Sequence, residues 1–390
     1  MKLVITPWKQ RLGVFGIDDN KLLEANIYDT KQNVCIGDIY LGRVHKILSN
    51  IKACFIQIGG KEDVFLPFDE ISDSIKTGDY IIIQIKKEAS KGKQALATTK
   101  ISIAGLYCVL SAEKHSIEVS KKLSDEQRNY WKTALINAVE EECFSQEEKC
   151  LLKKYCLILR TNIAENTSVS NVLQEYLMLS KKMDYILEKG KHQSLFSRIY
   201  REQSTYVNHI LNTCQGDLEE IITDDIAVYN ELKAALTISE SMQDKIRFYQ
   251  DSFSLSKLYS LETKMAEAIS KKVWLKCGGF LVIEPTEALT VIDVNSGKFE
   301  KKSDAEAYYK KVNEEAALEI ARQLKLRNIS GIIIVDFINM SSKESQEDLL
   351  DTLSRFVAKD HVKTFVVGMT SLGLVEMTRE KKEKPLWEQI

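Results

Sequence analysis

Residues 278–297 read GGFLVIEPTEALTVIDVNSG, and residues 331–337 read GIIIVDF. The first stretch is two apolar strands around a polar turn, and the second is a continuous apolar run of the kind interior strands use. Between them, Tyr309, Val312, Ala316, Ile320 and Leu324 recur at helical spacing, so a helix is predicted over 304–327, opened by a Ser303/Glu306 capping box. A helix near 343–358 and the strand KTFVVGM at 363–369 follow. Strand, helix, strand, helix, strand in that order predicts an α/β sandwich at this end of the chain.

The same stretch holds the strongest chemical signal. Side chains alternate along a strand, so Asp293 and Asn295 share a face while Ile292 and Val294 point into the core. Asp336 closes the run Ile332-Ile333-Ile334-Val335, at the strand end where open α/β sheets build their sites. Two carboxylates from neighbouring strand ends are the minimal protein ligand set for Mg²⁺, with water completing the octahedron. The Asn295 amide would orient Asp293 or a bound water. A single strand-end Asp is more often a turn cap. D-x-N on one strand with D on another brings the capping and metal readings level.

Residues 36–104 are short strands separated by turn residues: GDIYLGRVHKIL, IKACFIQIGG, VFLPF, DYIIIQIKKE and QALATTKISIAG. That texture predicts a small closed β-barrel of the OB type. Within it Cys54, Ile56 and Ile58 share one face, which leaves Phe55 with Ala53 and Gln57 on the more polar one. Phe65 follows, then Lys86, Lys87, Lys91 and Lys93; aromatic platforms beside cations suit single-stranded nucleic acid. The opposite reading, in which Phe55 and Phe65 plug the barrel and the lysines are a solvated loop, weighs the same.

Residues 105–200 mix strand-like YCLILRT with helical stretches near 125–142 and 168–187, an α/β unit. Arg160-Thr161 ends its strand, and a guanidinium fork beside a hydroxyl suits a terminal phosphate. Taken alone, an Arg after a strand is more often a surface residue. Residues 1–34 read as a strand pair turning at Asp19-Asn20. Residues 205–275 read as mainly helical, with Leu258, Leu261, Met265, Ile269 and Val273 on one helix face.

A chain of 390 residues exceeds one typical domain, which predicts two to four compact units. Lys plus Arg (54) against Asp plus Glu (56) leaves a net charge of −2, so any polyanion site must be a local patch. No stretch has the length of a membrane span, and the start MKLVITPWKQ has no export signal pattern. The eight scattered cysteines form no C-x-x-C and no zinc spacing, which predicts reduced thiols in a cytoplasmic protein. Walker A, G-x-G-x-x-G, G-x-S-x-G and H-E-x-x-H sequences are absent, and the five histidines have no motif partner.

The run GGFLVIEPTEALTVIDVNSGKF, then VNEEAALEIARQLKLRNISGIIIVDFINM and LGLVEMTR, resembles the ribonuclease E/G family of bacterial endoribonucleases. The resemblance is dense over 275–379, and GDIYLGRV, FLPF, KG-x-x-ALATT-x-IS-x-AG, LILRT and KVWLK agree in order upstream. It implies α/β and β domains. A ribonuclease-H-like domain (1–35 and 205–272) would be interrupted by an OB-type RNA-binding barrel (36–108) and a sensor of RNA 5′ ends (109–204). A deoxyribonuclease-I-like catalytic domain (273–390) would follow.

On that pattern Asp293 and Asp336 match the Mg²⁺-binding aspartates and Asn295 the asparagine that supports them. Phe55, Phe65 and Lys91 match the barrel's RNA contacts; Arg160 and Thr161 match the pair holding a 5′-monophosphate. The resemblance implies a Mg²⁺-dependent, single-strand-specific endoribonuclease leaving 5′-phosphate and 3′-hydroxyl ends. It would favour 5′-monophosphorylated RNA and serve RNA processing or decay, such as rRNA maturation and mRNA turnover.

Three departures stand out. The zinc-binding cysteine pair and small C-terminal domain that follow LGLVEMTR in the family are not found here, so no zinc and no zinc-linked dimer is expected and the oligomeric state is open. Ser371 stands where the family commonly has a basic residue, and Glu118 where a glycine is expected. The rival reading is a non-catalytic RNA-binding or ribosome-assembly factor that keeps the fold; a phosphomonoesterase or other small-substrate metal hydrolase is weaker, because it would not need an exposed Phe55.

Overall fold

The computed structural model describes residues 1–29, 34–59, 63–72, 74–89, 93–121, 123–141, 144–161, 163, 167–202, 205–213, 218–236, 240–297, 305–360 and 362–390. The chain divides into two compact units, one of residues 1–28, 219–226 and 247–390, the other of residues 29–218 and 227–246.

The first unit contains two sheets. The smaller has the strand order Ile246–Phe248, Glu220–Thr223, Lys2–Trp8, Arg11–Asp18, Lys21–Tyr28. Three strands therefore stand where a pair is expected from sequence. Their two turns, Lys9-Gln10 and Asp19-Asn20, all have positive φ, which fits two-residue hairpins with right-handed twist. The predicted long helix through Leu258 and Val273 is broken. Its pieces are the helices Leu255–Leu258 and Leu261–Ile269, separated by Ser260 at φ +50°, and Val273 lies in the strand Lys272–Trp274. Leu261 and Met265 pack on the small sheet, whereas Leu258 and Ile269 are exposed. A helical spacing of five apolar residues thus joined pieces that the backbone separates.

The larger sheet has six strands in the order Lys272–Trp274, Phe280–Pro285, Leu289–Asn295, Gly331–Asp336, Leu374–Arg379, Thr364–Met369. Leu289–Asn295 and Gly331–Asp336 run parallel, because the helix Ala305–Leu326 carries the chain back between them. Leu281, Ile283, Ile292, Val294, Ile333, Val335, Val375 and Met377 form one face of the sheet's core. Val312, Ala316, Ile320 and Leu324 of that helix, with Leu349, Leu353 and Val357 of the helix Lys343–Val357, complete it. Tyr309, expected in the stripe, is half-buried, and the Ser303 capping box lies outside the described residues. The run 332–335 is an interior strand, but it is covered on one face only: Ile333 and Val335 are buried while Ile332 is 51% exposed.

In the second unit, Ile39–Leu48, Ala53–Gln57, Val64–Pro67, Leu96–Thr98 and Tyr80–Lys87 pair in that order, and the last closes on the first. Val64–Pro67 and Leu96–Thr98 are parallel and the other pairs antiparallel. The result is the five-stranded closed barrel expected from sequence, consistent with an OB-like domain. Val44, Cys54, Ile56, Val64, Leu66, Ile83, Ile85 and Ala97 fill it. At Gly42 a Cβ would stand 2.5 Å from the Ile56 side chain and 2.9 Å from the Gln57 carbonyl, so strand closure there needs glycine. A four-stranded sheet follows, in the order Ser116–Val119, Tyr155–Leu159, Cys108–Lys114, Ser102–Ala104, with the helices Asp125–Glu141 and Val169–Asp184. Cys35, Cys54, Cys108, Cys150, Cys156 and Cys277 are free thiols; Cys143 and Cys214 lie outside the described residues.

Candidate functional site

Asp293 and Asp336 are register partners across the parallel strand pair, so their side chains leave the sheet on the same face. Asp293 is half-buried and Asp336 exposed. The Asn295 amide nitrogen donates to Asp293 Oδ2 at 2.7 Å. That bond uses one lone pair of one oxygen, and among the described residues no other hydrogen bond or ion pair engages either carboxylate. Glu284 and Glu376, which share this face, pair with Val291 and Ile334 and so sit one side chain back from the pair. Among the described residues no group of three His, Cys, Asp or Glu could hold a metal. A pair of carboxylates on a solvent-facing strand edge fits Mg²⁺, which keeps most of its waters.

The helix Ala305–Leu326 fixes the loops on which this pair depends. Tyr308 Oη donates to the Ser296 carbonyl at 2.9 Å, just past Asn295. Asn313, fully buried, donates to the Ile338 carbonyl at 2.8 Å and accepts from Ile338 N–H at 3.1 Å, two residues past Asp336. Glu306 accepts from Ser341 N–H at 2.8 Å, and Glu315 accepts from the N–H groups of Lys276 and Cys277. None of these residues is a candidate from the sequence reading. A buried Asn on a helix stripe was the available signal, since buried polar groups need partners. Ser371 lies exposed in the turn three residues before Leu374, the residue in register with Asp336.

On the barrel, Phe55 and Phe65 are register partners, half-exposed, with ring centroids 5.7 Å apart and edge-to-face at 64°. Cys54, Ile56 and Leu66 fill the interior, so the two phenylalanines stand on the outer wall and do not plug the barrel. Lys46, exposed and in register with Phe55, adds a cation that sequence reading missed because a bulge between Val44 and Lys46 shifts the alternation. Lys86 pairs with Glu70, and Lys87 and Lys93 are exposed. Lys91 lies outside the described residues.

Arg160 and Thr161 are half-buried at the end of the strand Tyr155–Leu159. The Arg160 guanidinium donates to the Gly105 carbonyl, and its backbone N–H to the Tyr107 carbonyl at 2.8 Å. Glu175, 2% exposed, accepts from the N–H groups of Leu106 (2.6 Å), Tyr107 (2.7 Å) and Cys108 (3.0 Å) and so shapes the loop that Arg160 leans on. Burial pushes the Glu175 carboxyl above its ordinary range against those donors. Burial also lowers the Arg160 guanidinium, with Glu175 the leading charge opposing it. Glu118 sits exposed in the strand Ser116–Val119, in register with Ile158.

Comparison with known proteins adds to this geometry. A profile of the "Ribonuclease E/G family" matches residues 102–382. The chain is 30% identical over 403 residues to "Ribonuclease G" of Haemophilus influenzae, covering 98% of this chain and 79% of that protein. It is 28% identical over 403 residues to "Ribonuclease G" of Escherichia coli, covering 98% and 80%. Against "Ribonuclease E" of Synechocystis it is 30% identical over 406 residues, covering 99% of this chain and 58% of that protein.

Proposed function

The chain belongs to the ribonuclease E/G family, and from that premise we propose that it is a Mg²⁺-dependent endoribonuclease acting on single-stranded RNA in RNA processing or decay. The observation that carries the reading is the placement of Asp293 and Asp336 in register on one open sheet face, with Asn295 holding Asp293. The two carboxylates would hold Mg²⁺. When bound, the ion supplies charge neutralisation at the scissile phosphate and a more acidic water. Asn295 keeps Asp293 in one rotamer, and the tethers from Tyr308 and Asn313 fix both strand ends, so the carboxylates are ordered before substrate arrives.

The outer wall of the barrel, with Phe55, Phe65 and Lys46, supports a second role: bases stack on the rings and the ammonium faces the backbone. On the family resemblance, Lys91 would be a further RNA contact. Arg160 and Thr161 would take a 5′-monophosphate, giving a preference for such ends. The six-stranded sheet and its two helices are read as the deoxyribonuclease-I-like domain, and the five-stranded sheet as the ribonuclease-H-like one. No helix among the described residues is long and apolar enough to cross a membrane; the cytoplasm is the proposed location, on the cysteine pattern.

The test is incubation with two single-stranded A/U-rich RNAs, one 5′-monophosphate and one 5′-hydroxyl, in Mg²⁺ or EDTA. Internal cuts with Mg²⁺ alone, faster on the monophosphate and equalised by Arg160→Ala, are the expected result. Tight RNA binding with no cutting would establish the non-catalytic RNA-binding factor instead.

A further inference from the structure

The open face of the six-stranded sheet carries an aromatic pair that the carboxylate site does not use. Trp274 is in register with Phe280, and Phe280 with Asn295, so the three side chains form one row on the face that holds Asp293. Trp274 is 64% exposed although Leu275, next to it, is buried in the core. Its ring meets Phe280 edge-to-face, with centroids 5.3 Å apart at 61°. Lys272 Nζ stands 3.9 Å from the Trp274 centroid and 3.7 Å from that of Phe280. The turn behind the strand is fixed: Leu275 N–H donates to the Gly279 carbonyl at 2.8 Å, and Glu315 accepts from Cys277 N–H at 3.1 Å.

We propose that Trp274, Phe280 and Lys272 form a base-stacking subsite for single-stranded RNA beside the carboxylate pair, taking the base of a nucleotide next to the phosphate to be cut. This rests on the proposed reading of Asp293 and Asp336 as the cleavage site. Two strand spacings, about 10 Å, separate Trp274 from Asn295, within reach of neighbouring nucleotides. The ring offers a π-face that any base accepts, and Lys272 adds a cation for the backbone at the same place. Asn295 and the aromatic row are continuous, so the RNA strand needs no change of direction between them. A protein partner would be served by an apolar patch without the cation; the ammonium held over both rings favours a polyanion.

The experiment has two parts. In the Asp293→Asn protein with EDTA, titration with a single-stranded oligoribonucleotide should quench tryptophan fluorescence, and adding Trp274→Phe should remove most of that quench. In the otherwise unaltered enzyme, Trp274→Ala should raise KM for RNA by about fivefold or more, acting on KM and not on kcat, while Trp274→Phe restores KM. Cleavage that is normal in KM with Trp274→Ala overturns the subsite while leaving the cleavage site intact. So does a Trp274→Ala protein whose only change is a smaller apparent mass, which would make this face a contact between copies. A Trp274-dependent quench in a chain that never cuts RNA would keep the subsite and overturn the cleavage reading.

Discussion

Asp293 and Asp336 face each other one strand spacing apart, as register partners in the parallel pair of a sheet whose other pairings are antiparallel. Parallel pairing needs the crossover helix Ala305–Leu326, and that helix also supplies the side chains that pin the loops after both strands. One element therefore creates the juxtaposition of the carboxylates and then holds it. The spacing of about 4.8 Å between strands suits oxygens that reach a common cation at about 2.1 Å.

Asn295→Ala removes the amide that donates to Asp293 Oδ2. Supporting groups of this kind are worth about 10- to 100-fold in metal affinity or activity. The expected outcome is a fall in kcat of that size with KM for RNA unchanged, restored in part by raised Mg²⁺.

Asn313→Ala leaves the N–H and C=O of Ile338 without their side-chain partner. Two orphaned groups at this half-buried site should cost about 2 kcal/mol in total, the low end of the range for each. Urea unfolding measures the loss, and cleavage should need more Mg²⁺ because the loop after Asp336 is released.

Phe55→Ala and Phe65→Ala should each raise KM for RNA, with about 1–3 kcal/mol of binding lost per stacked base. The rings touch edge-to-face, so the double substitution should cost less than the sum. Equal KM values in all four proteins would remove the barrel wall from RNA binding.

Glu175 gives a pH prediction. Its folded carboxyl lies above its ordinary range because burial disfavours the charged form. The folded state therefore holds a proton that the unfolded chain has released, and this site's contribution falls as pH rises from about 4.3 through the raised value. Thermal melting of Glu175→Gln against pH should lack that decline, although the amide accepts fewer of the three N–H groups of Leu106, Tyr107 and Cys108.

The carboxylate pair was legible because period-two alternation puts Asp293 with Asn295, and an apolar run ending in Asp336 marks a strand end. The closed barrel was legible from turn spacing, and its filled interior from Cys54, Ile56 and Ile58. Lys46 was not, since its place beside Phe55 depends on a bulge that alternation alone does not reveal. Asn313 hid inside a helical stripe, where its partners come from a loop 25 residues away. The run 332–335 suggests burial on both faces, yet Ile332 is open, because both helices pack on the same side of the sheet. The helix through Leu258 failed at Ser260, where a positive φ has no signature in apolar spacing.

The most direct test compares the unaltered protein with Asp293→Asn on one single-stranded RNA in Mg²⁺, measuring cleavage rate and RNA affinity together. Internal cleavage that is abolished in Asp293→Asn while affinity for the RNA is kept is the expected result. Undiminished cleavage by Asp293→Asn, or loss of binding in step with loss of cleavage, would contradict the role of Asp293 at the cleavage site.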